Sequence, residues 1–287
     1  NDDISNIYNY KNIIKKFSPH TVIHLAAQPI VQESYKSPVK TFETNIMGTV
    51  KLLNLVKDLK SVKHILVFTS DKVYVDFGNI KIKEDFKIGG TDPYSASKSS
   101  QDIISNSYKI SFFKKNKHLT IIRAGNIIGG GDWEYSRLIP DLFNCIYKRK
   151  KIILRNPGAV RPWQHVLDVV GGIVLIIIKK IKSFDNKALI YNIGPNSNSN
   201  LTVLKLIKKI KNRSRNLKIF YKIKRINFKE TKILRLSNKL FKKEIKWKQK
   251  ININKSIDLT SMWYYNFFKN RKNIFNFTEK QIKNYFN

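Results

Sequence analysis

His64-Ile65-Leu66-Val67-Phe68-Thr69-Ser70-Asp71-Lys72 is a short branched apolar run that gives way abruptly to four polar residues. Runs of this kind read as strands buried on both faces of a parallel sheet. Thr21-Val22-Ile23-His24-Leu25, Leu119-Thr120-Ile121-Ile122-Arg123 and Leu189-Ile190-Tyr191-Asn192-Ile193 have the same character. Helix-like stretches from Pro38 to Leu59 and from Tyr94 to Lys114 lie between them. Strands alternating with helices of that size predict βαβ units, and hence an α/β fold with a doubly wound parallel sheet. Ligands bind such sheets beyond the carboxyl ends of the strands. The first candidates for chemistry are therefore Ala26-Ala27-Gln28, Thr69-Ser70-Asp71-Lys72 and Ala124-Gly125-Asn126, each of which follows a strand. From about Asn196 the chain turns lysine-rich and reads as a smaller α+β portion.

Composition narrows the class. The 287 residues are 42% hydrophobic and 12% aromatic, enough for a large buried core. The longest apolar run, Val169 to Ile178, is shorter than the ~20 residues of a membrane span and predicts a buried helix. No charged-then-apolar leader opens the chain, which begins at Asn1. Cys145 is the single cysteine, which excludes an intramolecular disulfide and a cysteine metal cluster. A reducing, cytoplasmic setting is expected from this, and no metal. The formal net charge of +35 invites a nucleic-acid partner. Yet only 10 of the 55 basic residues are arginine, the better reader of phosphates and base edges. Lysine is accompanied by abundant asparagine and isoleucine, and all three have A- and T-rich codons. Codon bias accounts for the charge, so no specific nucleic acid is expected; a non-enzymatic basic binding protein is the reading from a different class.

Tyr94 and Lys98 are four apart at a helix start, which puts both side chains on one face. An unperturbed tyrosine, with a pKa of about 10, is a poor base at neutral pH. A neighbouring ammonium favours the phenolate and would lower that value. Such a pair can take a proton from a hydroxyl while hydride leaves the same carbon. Ser70, at the end of a buried strand, is placed to hold the reacting oxygen. The bare Tyr-x-x-x-Lys spacing is weak in a lysine-rich chain. Its setting is stronger: the turn Gly89-Gly90-Thr91-Asp92-Pro93 delivers the helix, and Ser95, Ala96 and Ser97 allow a close ligand.

Four segments together carry a more specific resemblance. They are Thr69-Ser70-Asp71-Lys72, Asp92-Pro93-Tyr94-Ser95-Ala96-Ser97-Lys98, Arg123-Ala124-Gly125-Asn126-Ile127-Ile128-Gly129-Gly130-Gly131-Asp132-Trp133 and Arg155-Asn156-Pro157-Gly158-Ala159-Val160-Arg161-Pro162-Trp163-Gln164-His165-Val166. Jointly they resemble the CDP-glucose 4,6-dehydratases, a family of the extended short-chain dehydrogenase/reductase superfamily. The resemblance runs down to Trp247 and Thr260-Ser261-Met262-Trp263-Tyr264. It implies a Rossmann-type sheet in residues 1–128 and 162–194, and a nucleotide-sugar-binding part in 129–161 and 195–287. It also implies NAD as cofactor, CDP-glucose as substrate, a homodimer and a place in deoxysugar biosynthesis.

By the same resemblance Tyr94 deprotonates the 4-hydroxyl of the glucose as hydride leaves C4. Lys98 depresses the tyrosine and holds the nicotinamide ribose, and Ser70 hydrogen-bonds the reacting oxygen. Asp71 and Lys72 are the pair for elimination: an acid for the 6-hydroxyl and a base for the C5 proton. Related dTDP- and UDP-sugar dehydratases have glutamate at the second position, and lysine matches the CDP-glucose branch. Lys72 as base would need a depressed pKa; the alternative is an electrostatic role, and for Asp71 a strand-end cap. Asp3-Ile4 resembles the pair that contacts adenine, Leu25-Ala26-Ala27 the strand end beneath the cofactor, and Thr44 and Thr69 further cofactor-side positions. Asn126 is expected to face the sugar phosphates and Arg161 to hold the diphosphate. Arg137-Leu138 would approach the base, while Arg155, Asn156 and His165 would line the nucleotide pocket. His24 reads as a buried core histidine.

The chain also departs from that family. The family opens with a strand and a Gly-rich turn that holds the cofactor pyrophosphate. Nothing before Thr21 supplies it, so a piece of a longer gene product is expected. Val73 stands where the family tends to have cysteine, and Gln32-Glu33 where basic residues are usual. A dehydratase of another nucleotide sugar and a 4-epimerase are the alternatives within the superfamily.

Overall fold

Four branched apolar strands pair in register here, and Ile23 on the edge strand is the only one of their residues left exposed. A computed structural model describes residues 2–113, 117–179, 189–213, 219–223 and 231–287. In chain order its strands are β1 (Thr21–His24), β2 (His64–Phe68), β3 (His118–Ala124), β4 (Ile127–Ile128), β5 (Ile152–Leu154), β6 (Val160–Pro162), β7 (Gln164–His165), β8 (Leu189–Ile193), β9 (Asn200–Thr202) and β10 (Tyr221–Ile223). The main sheet has the order β1-β2-β3-β8, and every pair in it is parallel. All four expected strands are present. The register sets Thr21 beside His64 and His64 beside His118. The imidazoles of His20, His64 and His118 consequently step across the strand starts, with centroids 5.4 and 5.3 Å apart.

The helices are α1 (Lys11–Phe17), α2 (Val31–Lys36), α3 (Pro38–Phe42), α4 (Gly48–Lys57), α5 (Pro93–Ser111), α6 (Leu138–Tyr147), α7 (Val166–Lys179), α8 (Val203–Arg213), α9 (Lys239–Ile245), α10 (Ile253–Lys269) and α11 (Ile274–Phe286). Period-two alternation in the strands sends side chains to two cores. Ile65, Val67, Leu119 and Ile121 pack with Leu52, Leu53 and Val56 of α4. Leu66, Ile122, Tyr191 and Ile193 pack with Val169, Ile173 and Ile176 of α7 and Phe241 of α9. The apolar run at Val169 is thus a buried helix, as expected. Among the described residues no helix is long and apolar enough to cross a membrane. A third core joins α6, α8 and α10 through Leu142, Phe143, Ile207, Ile210, Ile257 and Tyr264. The Phe143 and Tyr264 rings stack at 4.4 Å within it.

Two expected helices differ in detail. The stretch from Pro38 to Leu59 is not one α-helix, because a wider π turn, Glu43–Met47, separates α3 from α4. The extra residue turns Asn45 inward, where it satisfies a loop that carries no ladder of its own. Its Oδ1 accepts from the Gln28 N–H at 2.8 Å, and its Nδ2 donates to the Gln28 carbonyl at 3.1 Å and to Ser97 Oγ at 2.8 Å. The second helix, α5, begins one residue earlier than expected. Asp92 caps it by accepting from the Ser95 N–H at 2.9 Å, with Pro93 in the first turn. Lys114, its expected end, lies outside the described residues.

A buried ion pair ties α5 to β3. Arg123 donates from Nε and Nη2 to the two oxygens of Asp102, both at 2.8 Å. Its Nη1 reaches the Tyr74 hydroxyl at 2.8 Å and the Glu84 carbonyl at 2.9 Å. Tyr74 in turn donates to Asn192 Oδ1 at 2.7 Å, so the network spans β3, β8 and α5. Removing one partner strands a buried charge. Asp102→Ala is therefore expected to cost about 3–5 kcal/mol of stability in urea unfolding. A loss below about 1 kcal/mol would contradict the burial argument.

Candidate active site

Three strand ends and one helix start meet in a cleft of about 470 Å³. After β2 the Thr69 N–H extends the ladder to the Ile122 carbonyl at 2.8 Å. The chain then turns sharply through Asp71–Val73, and Ser70 Oγ accepts from the Lys72 N–H at 3.2 Å. The turn buries the Asp71 carboxyl. Ser70 Oγ donates to its Oδ1 at 3.1 Å, and Asn126 Nδ2 donates to its Oδ2 at 3.2 Å. Gly125 is what makes room: a Cβ there would sit 2.1 Å from an Asp71 oxygen. Asn126 then takes a left-handed φ of 52°, a conformation that asparagine tolerates. Burial pushes the Asp71 carboxyl up, and the charges of Lys72 and Arg161 pull it partly back.

Tyr94 sits in the first turn of α5, buried, with its N–H on Ser34 Oγ at 3.1 Å. Burial pushes its phenol up to about 12, and a hydrogen bond with Ser70 opposes this. Lys98 is not among the groups that chiefly lower it. The Lys98 ammonium is turned to Gln101 Oε1 at 2.9 Å and to the Phe68 carbonyl at 3.3 Å. Burial pushes that ammonium down to about 8.

The structure brings most of the sequence candidates to the cleft wall. Leu25, Ala27, Thr69, Ser70, Asp71, Lys72, Tyr94, Lys98 and Asn126 line one side. Arg137, Leu138, Arg155, Asn156 and Arg161 line the other. A second cavity of about 500 Å³ continues past Ala27 and Pro29 and holds Asp3 and Thr44 with Lys36 and Lys40. Asp3 also caps the turn that follows it, accepting from the Ser5 N–H at 2.9 Å. Ile4 packs with the core beneath α4, and Ala26 is exposed and lines neither cavity.

His165 is a correction. It does not line the cleft, because β7 pairs with β4 and turns its ring inward. Its Nδ1 accepts from the Leu167 N–H at 3.2 Å, at the start of α7. Burial pushes it down to about 4. His24 is buried, as expected, and its Nε2 meets Thr49 Oγ1 at 2.9 Å.

Several neighbours of the site were not singled out from sequence as site residues, although Gln32 stood out as a departure. Gln101 is one turn beyond Lys98 on the same helix face, so the i, i+3 spacing was available as a signal. Gln32 accepts hydrogen bonds from Arg155 and, at 3.2 Å, from Ser136, bridging the two cleft walls. Asp102 and Arg123 were legible only as ordinary charges, since their pairing joins a helix to a strand 21 residues away. Among the described residues no group of three or more His, Cys, Asp or Glu could hold a metal.

A family profile described as GDP-mannose 4,6 dehydratase matches residues 1–260. A CDP-glucose 4,6-dehydratase of Salmonella typhimurium is 37% identical over 215 residues, which is 72% of this chain and 60% of that protein. A dTDP-D-glucose 4,6-dehydratase of Dictyostelium discoideum is 33% identical over 210 residues, 69% of this chain and 46% of that one. The chain therefore spans about half to three fifths of these relatives. A solved dTDP-glucose 4,6-dehydratase of Bacillus anthracis in complex with NAD shares the fold, with a TM-score of 0.77 and 24% identity. The match covers 94% of this chain and 79% of that one.

Two of the buried histidines, His24 and His165, give stability a pH dependence. Each binds its proton more weakly folded than unfolded, between about 6.5 and about 4. In that window the unfolded chain carries more protons, so each histidine removes stability as the pH falls, by about 1.4 kcal/mol per pH unit. Asp71 and Asp168, pushed up by burial, act in the opposite sense. The decisive measurement is thus the difference between wild type and His165→Gln in urea unfolding at pH 7, 6 and 5. The variant is expected to lose less stability on acidification, and parallel profiles would contradict the assignment.

Proposed function

The chain belongs to the GDP-mannose 4,6 dehydratase family, and on that premise we propose that it dehydrates CDP-glucose to CDP-4-keto-6-deoxyglucose with NAD as cofactor. The observation that supports this most is the meeting of two chemistries in one cleft. Ser70, Tyr94 and Lys98 suit oxidation of a sugar hydroxyl, and Asp71-Lys72 suits the loss of water. Lysine at position 72, together with 37% identity to the Salmonella typhimurium protein, favours the cytidine nucleotide.

The residues present fit part of an NAD molecule. Leu25 and Ala27 follow the end of β1, Ala27 where the two cavities join, with Thr69 and Lys98 on the cleft side. Asp3 and Thr44 offer a carboxylate and a hydroxyl to the adenosine end. NAD, when bound, supplies the acceptor that takes hydride from C4 of the glucose and returns it to C6.

Tyr94 takes the 4-hydroxyl proton, while Ser70 orients the oxygen from the other side. The ketone so formed acidifies the C5 hydrogen. Lys72, acting as the neutral amine, takes that proton and returns it to C5 as C6 is reduced, and Asp71, whose burial favours its protonated form, gives one to the 6-hydroxyl, which leaves as water. Arg161 and Asn156 meet the diphosphate, with Arg137, Leu138 and Arg155 toward the base and Asn126 holding Asp71 toward the sugar. On this reading residues 1–128 with 162–194 serve the cofactor, and 129–161 with 195–287 the nucleotide sugar. A cytoplasmic homodimer completes it: the lone Cys145 suits a reducing compartment, and Ile103 and Ile110, exposed seven residues apart on α5, offer an apolar strip to a second copy.

The test is to supply CDP-glucose and NAD to the full-length protein and assay for the 4-keto-6-deoxy sugar. Tyr94→Phe is expected to lower kcat about 10²–10⁴-fold. Asp71→Asn is expected to keep oxidation at C4 but to block elimination, so that reduced cofactor accumulates. An epimerised sugar without loss of water, or unaltered elimination in Asp71→Asn, would overturn the proposal.

A further inference from the structure

Lys98 is buried, and its ammonium has no counter-ion among the groups that shift it. The nearest carboxylate along α5, Asp102, is already engaged by Arg123 on both oxygens and by Thr69 Oγ1 at 3.4 Å. What holds the ammonium in place is neutral: Gln101 Oε1 at 2.9 Å and the Phe68 carbonyl at 3.3 Å. An ammonium has only donors, so the amide atom that faces it must be the oxygen. The amide nitrogen then points the other way, to Thr49 Oγ1 at 2.8 Å, with His24 Nε2 at 3.2 Å.

That second shell is itself fixed. Thr49 spends its one proton on the Asn45 carbonyl at 2.7 Å, so toward Gln101 it can only accept. His24 lies against the donor end of the amide, where an imidazolium would be repelled. Burial and the charge of Lys98 push His24 down to about 4, which keeps the ring neutral across the physiological range. Gln101, Thr49 and His24 are all buried, so the arrangement has no solvent to reorganise it.

We propose that Gln101 is the positioning residue for Lys98, anchoring the ammonium through a neutral oxygen so that its charge stays uncompensated and available to Tyr94 and the cofactor ribose. This rests on the dehydratase reading for the roles of Tyr94 and Lys98, but the anchoring itself does not. A carboxylate at position 101 would hold the ammonium as well and cancel its field. A shorter amide would keep the field and lose the anchor.

The experiment follows Lys98 by NMR in full-length protein carrying lysine labelled with 13C at Cε, its resonance assigned through Lys98→Arg. Gln101→Glu is expected to raise the titration of Lys98 by at least one pH unit. The same variant should move the acid limb of the kcat–pH profile upward and reduce turnover at pH 7 about tenfold. Gln101→Asn is expected to raise KM for NAD more than it lowers kcat. In wild type, 15N spectra should show slow solvent exchange of the Lys98 ammonium protons, a readout that stands even where a variant does not fold. Unchanged Lys98 titration in folded Gln101→Glu, or fast exchange in wild type, overturns the proposal. An inactive wild type with the expected NMR shifts would instead sink the dehydratase reading and leave the anchoring intact.

Discussion

The buried pair of Asp102 and Arg123 is the joint on which the site is mounted. A guanidinium removed from water must have its donors met, and here four groups from three parts of the chain meet them or each other. Asp102 comes from α5, Arg123 from β3, Tyr74 and Glu84 from the segment between β2 and α5, and Asn192 from β8. Thr69, one residue before Ser70, leans on the same carboxylate. The helix that carries Tyr94 and Lys98 is thereby held in one position relative to the strand end that carries Ser70, Asp71 and Lys72. Sheet pairing alone would not do this, since the ladder constrains strands and not the helix above them.

Within that frame, burial assigns the roles. It raises Tyr94 and Asp71 and lowers Lys98, each toward its uncharged form. For Asp71 this is useful, because an acid that is to protonate a leaving hydroxyl has to keep its proton. For Tyr94 it is a cost, opposed by the Ser70 hydrogen bond. On the proposed dehydratase reading, adjacent Ser70 and Asp71 serve different half-reactions while sharing a hydrogen bond of 3.1 Å. On that reading the proton inventory of oxidation and of elimination is coupled through that contact.

The sheet was legible because each strand is apolar on both faces, a pattern that no exposed element shares. The position of the polar residues after the strands follows from the same pattern. The Pro38–Leu59 stretch was legible as helical but not as interrupted, since nothing in Glu43-Thr44-Asn45-Ile46-Met47 marks a π turn. Its cause is tertiary: Gln28 needs partners, and Asn45 reaches it only from the widened turn. His165 was misplaced for a similar reason. Its neighbours Arg161 and Trp163 do line the cleft, but the pairing of β7 with β4 turns the next ring but one into the interior. Adjacent sequence does not carry which face of a two-residue strand is buried.

Gln32 shows how a departure from a family pattern acquires a reason once the far wall is in view. Its side-chain oxygen accepts from Arg155 and from Ser136, while Arg155 also donates to the Ser136 carbonyl at 2.6 Å. A basic residue at 32 would offer that guanidinium a second cation. The glutamine offers it an acceptor, so the neutral residue and Arg155 are a matched pair across the cleft. The bond costs little to break, because both side chains are only partly buried and water can replace either partner. On the proposed reading, a nucleotide that enters between the walls can take over the Arg155 donors without leaving a charge stranded. Position 32 and position 101 share one feature: a neutral amide oxygen accepts from a cation.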